Sequence, residues 1–139
     1  MPHFIVEYSA SLEAELQLPV LFAAVHAHLI ALQVFPVGGI RSRARRIEHD
    51  RFADGRADFA GIHAQLKLSA ARPAALRQEI AAGVFEVLRQ HCAALQQRRY
   101  VALSLELGLF DPQGFFNHNN LHPLFPATGT TGTLRSSTP

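Results

Sequence analysis

Apolar residues in this chain switch between a period of two and a period near 3.6, and the order of the switches is what most narrows the fold. Residues 3 to 9 alternate, with Phe4, Val6 and Tyr8 set against His3, Ile5 and Glu7, which predicts a strand. From 19 to 33, Leu21, Phe22, Val25, Leu29 and Leu32 fall on one helical face, and Pro19 suits the first helical position. Phe35-Pro36-Val37-Gly38-Gly39 then breaks the helix. Residues 40 to 50 are extended again, sending Arg41, Arg43 and Arg45 to one face and Ile40, Ser42 and Ala44 to the other. Ala53-Asp54-Gly55 is a turn. Residues 58 to 68 form a third strand, with Ala60, Ile62, Ala64, Leu66 and Leu68 opposite His63, Gln65 and Lys67. Arg72-Pro73 opens a second helix with Leu76, Ile80, Val84, Leu88 and Leu95 as its apolar stripe, and residues 100 to 107 are a fourth strand.

Strand-helix-strand, repeated once, gives two β-α-β units in tandem and an α/β (α+β) fold. A helix between two strands implies parallel pairing through a right-handed crossover. With both helices on one face of the sheet, the opposite face carries the arginines and needs cover, which oligomerisation would supply.

The chain's 139 residues suit one domain, and at 48% hydrophobic it has the material for a core. Residues 126 to 139 are rich in Thr, Gly and Ser and are expected to be a disordered tail, which leaves 1–125 as the folded domain. Of thirteen basic residues only Lys67 is a lysine. Arginine is favoured where a planar fork grips carboxylate or phosphate, although a genome rich in G and C gives the same bias. The single cysteine, Cys92, excludes an internal disulfide. No apolar run reaches membrane-spanning length and no basic-then-apolar leader opens the chain, so a cytoplasmic location and no membrane partner are expected.

Pro2 carries the chemistry. Removal of Met1, which a small second residue allows, would leave Pro2 a free secondary amine directly before a strand. An α-amine ordinarily titrates near 8. A cationic cluster and partial burial both lower that value, and Arg41, Arg43, Arg45 and Arg46 supply such a cluster.

These segments resemble the 5-carboxymethyl-2-hydroxymuconate isomerase family of the tautomerase superfamily. The resemblance rests on Pro2-His3-Phe4-Ile5-Val6-Glu7-Tyr8-Ser9, Leu18-Pro19, Phe35-Pro36, Gly39-Ile40-Arg41-Ser42-Arg43, Ala53-Asp54-Gly55, His63 with Leu66-Lys67, the Arg72 turn, Leu103-Ser104, and Asn119-Asn120 with His122 and Leu124-Phe125. It implies a mixed four-stranded sheet with two helices on one face, a homotrimer, an amino-terminal proline base and no cofactor. The implied substrate is a small di- or tricarboxylate dienol from the meta-cleavage breakdown of homoprotocatechuate, isomerised to its conjugated ketone.

On that reading Pro2 is the acid–base and Arg41 neutralises carboxylate and developing enolate charge. Arg43 and Arg72 are further candidates for binding substrate carboxylates. Each has a plainer reading: Arg43, Arg45 and Arg46 as a solvated or subunit-contact face, Arg72 as a local cap. His63, Asn119 and Asn120 are possible contributors; His63 also reads as a packed or inter-subunit histidine, and the asparagines as partners for backbone groups in a terminal loop. No metal set is expected, since His118 and His122 lie in a non-helical context and His26 and His28 diverge on their helix. Three alternatives remain open: a Pro2-dependent hydration or decarboxylation of an unsaturated acid, a small basic module that binds nucleic acid through Arg41 to Arg46 with Phe115 and Phe116 stacking on bases, or a non-catalytic trimeric protein that kept the fold.

Overall fold

The computed structural model describes residues 1–126. The expected tail, apart from its first residue, lies outside the described residues. Four strands form one mixed sheet in the order β2-β1-β3-β4: β1 (His3–Ser9), β2 (Arg41–Ile47), β3 (Phe59–Ser69) and β4 (Tyr100–Phe110). β1 and β2 are parallel, β3 and β4 are parallel, and the two pairs meet antiparallel along β1 and β3. This is the tandem β-α-β arrangement with a mixed sheet.

The inner face is built from the alternation visible in the sequence. Phe4, Val6 and Tyr8 of β1 and Ile62, Ala64, Leu66 and Leu68 of β3 are all buried. Leu21, Val25 and Leu29 of α2 (Leu18–Ala31) and Ile80, Val84 and Leu88 of α3 (Ala74–His91) close over them. Each fully buried Leu, Val or Phe contributes roughly 1.5–3 kcal/mol of apolar transfer.

Four boundaries differ from the sequence reading, each for a local reason. A turn of 3-10 helix (Ala10–Leu12) and a short α1 (Glu13–Leu16) precede α2. Gln17 joins α1 to α2 with a left-handed φ of 52°, the conformation that ends helices, although the residue there is not glycine. β2 stops at Ile47, because the chain folds back so that Asp50 accepts a hydrogen bond from Ser9 Oγ (2.6 Å). The second helix breaks at buried Cys92 and resumes as α4 (Ala93–Arg98), so Leu95 belongs to a separate turn. β4 runs to Phe110, since Leu109 and Phe110 pair with Leu68 and Ser69.

The outer face carries the polar set. Arg41, Arg43 and Arg45 stand in register with His3, Ile5 and Glu7, and these with Lys67, Gln65 and His63. Gly61 belongs to this face and gives Phe52 a seat: a Cβ there would lie 2.2 Å from the tip of the Phe52 ring.

Candidate functional site

Pro2 and Arg41 meet because two parallel strands start side by side. The Arg41 N–H donates to the Pro2 carbonyl at 3.1 Å, the first rung of the β1–β2 ladder. Pro2 is buried. Val37–Gly39, a 3-10 turn, delivers the chain to that rung, and Gly39 lets Met1 pass, since a Cβ on Gly39 would lie 3.0 Å from Met1 Cγ.

Arg72 reaches the same end of the sheet from the opposite β-α-β unit. It does not cap the helix that follows it. Its Nη2 donates to the Val34 carbonyl (3.0 Å), and its guanidinium carbon lies 4.4 Å from the centroid of the Phe35 ring. A guanidinium stacked and anchored in this way is held in one orientation. The segment after α2 therefore supplies Arg72's support, and Gln33, with a φ of 58°, makes the turn that places it.

Both guanidinium groups act on the chain's first nitrogen. With Met1 in place, its α-amine is held below the ordinary value by burial first, then by the positive charges of Arg72 and Arg41. Met1 also occupies the space beside Arg41, whose Nη1 lies 3.3 Å from Met1 Sδ. In this form Pro2 nitrogen is an amide and has no basic lone pair.

The other candidates sort by distance along the strands. Arg43 lies one outward-facing position further on, with Nη1 3.3 Å from His3 Nδ1. His63 is not part of this constellation. Register places it across from Glu7, five residues beyond Pro2, or roughly 16 Å along a strand, where it contacts Ser104 Oγ at 2.7 Å and Glu106 at 3.5 Å. Asn119 serves a terminal turn: its Oδ1 accepts from the Leu121 N–H (2.9 Å) and its side-chain nitrogen lies 3.2 Å from His122 Nε2. That turn is nonetheless part of the site's wall, because His122 packs where a Gly38 Cβ would be, 3.0 Å away. Asn120 is exposed.

Ion pairing separates the arginines into two groups. Arg45 pairs with Glu7, and Arg46 with Glu13 and Glu48. Among the described residues, Arg41, Arg43, Arg72 and Lys67 form no salt bridge with a carboxylate. The cations around Pro2 are thus left without a carboxylate partner, as are Arg51 and Arg77 among the described residues, which bond only to backbone carbonyls.

Comparison with known proteins agrees with this geometry. The profile of the family described as 5-carboxymethyl-2-hydroxymuconate isomerase matches residues 2–125. The chain belongs to that family. It is 43% identical over 125 residues to the 5-carboxymethyl-2-hydroxymuconate Delta-isomerase of Escherichia coli, covering 90% of this chain and 99% of that one. A crystal structure of a 5-carboxymethyl-2-hydroxymuconate isomerase from Deinococcus radiodurans R1 superposes with a TM-score of 0.81 at 35% identity, covering 87% of this chain and 91% of the other. A fused wild-type 4-OT symmetric trimer shares the fold alone, with a TM-score of 0.57 at 15% identity over 92% of this chain and 99% of the other.

Two residues at this candidate site escaped the sequence reading. His3 was visible only as an outward position of β1, yet it sits between arginines and under two phenylalanines. Its neutral form is favoured down to a pKa of about 4, through burial first and then the charges of Arg43, Arg41, the chain amine and Lys67. His26 of α2 lies 2.7 Å from Ser42 Oγ and fastens the helix to the strand that carries Arg41; burial lowers its pKa. Neither contact joins residues near in sequence, so no spacing rule could expose them.

Proposed function

We propose that this chain isomerises 5-carboxymethyl-2-hydroxymuconate to its conjugated 2-oxo isomer in homoprotocatechuate breakdown, with Pro2 as acid–base once Met1 is removed. The observation that carries this reading is the meeting of Pro2, Arg41 and Arg72 at one strand end, with no carboxylate paired to either arginine among the described residues. Pro2 nitrogen takes the proton from the 2-hydroxyl. Electrons shift from oxygen through the C2=C3 and C4=C5 bonds, leaving a C2 carbonyl and a C3=C4 double bond. The protonated amine returns the proton to C5, so a single poised group serves as base and then acid. Arg41 offers a guanidinium fork to the C1 carboxylate and the developing C2 oxyanion. Arg72, fixed by Val34 and Phe35, holds a second carboxylate.

The low affinity of this neighbourhood for protons is what suits Pro2 to the task. Burial and two arginines already disfavour a protonated amine one residue upstream. The cleaved chain carries its amine into the same surroundings. The assembly is a homotrimer, a reading supported by the 4-OT trimer among its fold relatives. Hydration or decarboxylation would require a further water-activating carboxylate or a metal beside Pro2; among the described residues no carboxylate pairs with Arg41 or Arg72, and no cluster of three His, Cys, Asp or Glu is placed to hold a metal ion. The arginine strip is likewise a poor phosphate track, since Arg45 and Arg46 are already paired with Glu7, Glu13 and Glu48.

The test is an ultraviolet assay of dienol loss with 5-carboxymethyl-2-hydroxymuconate and with 2-hydroxymuconate, using untagged protein whose loss of Met1 is verified by intact mass. Turnover of the first substrate is expected. Absence of turnover of both by correctly processed protein would overturn the assignment.

A further inference from the structure

His3 is the one described residue whose side chain has a buried polar atom with no hydrogen-bond partner, its Nε2. Its other ring nitrogen, Nδ1, lies 3.3 Å from Arg43 Nη1. A guanidinium can only donate, so Nδ1 is the acceptor and the proton of the neutral ring sits on Nε2. The imidazole thus presents an N–H donor that nothing in the chain accepts. Buried donors are almost always satisfied, so an exception of this kind marks a place where another molecule can bind.

The surroundings say which chemistry would satisfy it. Across three neighbouring strands Arg41, His3 and Lys67 stand side by side in register, and Arg43 adds a fourth nitrogen group from the next outward position. No carboxylate pairs with Arg41, Arg43 or Lys67 among the described residues. Beside Lys67 the β4 position is Gly108, where a Cβ would come within 3.4 Å of Lys67 Cγ. The rings of Phe110 and Phe115 stand edge-on to the imidazole at 6.2 and 5.8 Å, which restricts water and strengthens any charge contact made there. A donor flanked by two cations that no carboxylate pairs with among the described residues, and edged by two aromatic rings, suits an anionic oxygen.

We propose that His3 Nε2–H, with Arg43 and Lys67, forms a subsite for the carboxylate of the substrate's carboxymethyl arm. This rests on the isomerase reading above and deepens it. Arg41 and Arg72 hold the carboxylates next to the reacting atoms, while the His3 subsite reads the third carboxylate, the group that separates a tricarboxylate from 2-hydroxymuconate. His3 is therefore a specificity-determining residue and takes no part in proton transfer.

The experiment compares wild type, His3→Leu and His3→Gln on 5-carboxymethyl-2-hydroxymuconate and 2-hydroxymuconate, with circular dichroism to confirm folding. Gln can place an N–H donor near the position of Nε2; Leu cannot. In His3→Leu, KM for the tricarboxylate should rise about tenfold with little change in kcat, so that the kcat/KM preference for it over the dicarboxylate falls about tenfold. His3→Gln should keep most of that preference. Equal losses on the two substrates, or a Gln variant no better than Leu, would overturn the subsite and leave His3 as packing. Calorimetric binding of propane-1,2,3-tricarboxylate against glutarate supplies a readout that needs no turnover. If the wild type turned over neither substrate the reaction assignment would fall, while loss of tricarboxylate preference in His3→Leu by calorimetry would still support the subsite and retention of it would sink it.

Discussion

At the scale of single residues, the proposed chemistry rests on one strand end. Pro2→Ala keeps a terminal amine after processing but changes its basicity and its fit, and kcat/KM is expected to drop by about 100-fold or more in the ultraviolet assay. Arg72 makes a subtler prediction. Burial first, and then the positive charges of Arg72 and Arg41, hold the Met1 α-amine below its ordinary value, and the same Arg72 charge would act on a Pro2 amine exposed by removal of Met1. Removing the charge in Arg72→Met raises the pKa of the Pro2 base, and the acid limb of the kcat/KM profile should move to higher pH. An unmoved limb would mean that Arg72 only binds. His3 carries a stability consequence of fixed sign. Its pKa is about 4 in the folded chain against 6.5 as the ordinary value. Between those values the unfolded chain binds more protons, so stability falls as pH drops from 6.5 toward 4 and is not lost further through this group below that. His26, also lowered, acts in the same direction. Urea midpoints for wild type and His3→Gln measured across that window should show a shallower acid decline in the variant. Equal slopes would count against His3 as a source of the acid sensitivity.

Among elements, the loop that feeds β2 and the terminal turn that packs on it form the wall beside Pro2. Gly38 sets their separation, since a Cβ there would meet His122 backbone nitrogen at 3.1 Å and its Cα at 3.2 Å. Backbone cannot swing aside as a side-chain tip can. Gly38→Ala should therefore push the 119–125 turn outward, at a cost on the order of 1 kcal/mol. Faster proteolytic cleavage in that turn, with β-sheet circular dichroism unchanged, is the outcome to look for. The same elements show where sequence reading succeeds and stops. Periodicity is a local signal, and it located all four strands and the two long helices because Phe4-Val6-Tyr8 and Leu21-Val25-Leu29 write their own burial. It missed the break at Cys92, where no Gly or Pro interrupts the pattern. It also carried the β2 pattern past Ile47, because the bond from Ser9 to Asp50 that turns the chain is a long-range contact. Within the site, Pro2 and Arg41 were legible from the motif and Arg72 only as a candidate. His63 stood among the possible contributors until register placed it at the other end of the sheet. His3 depends on Arg43, Phe110 and Phe115 arriving together, and that is decided by strand register and the path of the chain after β4.

Taken as one molecule, the chain has a finished side and an unfinished one. Two long helices bury the inner face, whereas among the described residues no helix covers the outer face and both β2 and β4 are edge strands with one unpaired side. Exposed edges invite pairing with another chain unless something blunts them. On the outer face Glu7 pairs with Arg45, and His63 lies near Glu106, so those charges enter an interface already partnered. Between them Ile5 and Ala102 offer apolar or small contacts, and Phe52 over Gly61 adds an apolar wall. Tyr100 is 73% exposed on the β4 edge, a large aromatic that a neighbouring chain would cover. The proposed trimer sets these faces toward a common centre and leaves the helices outside. Sedimentation velocity at micromolar concentration should then give about three times the 15.3 kDa chain mass. Ala102→Arg, which places a charge on the face turned inward and far along the sheet from Pro2, should shift the protein toward monomer and lower kcat/KM in step with the loss of trimer. A wild-type monomer at full activity would show that the outer face is solvated by design and would overturn the trimer.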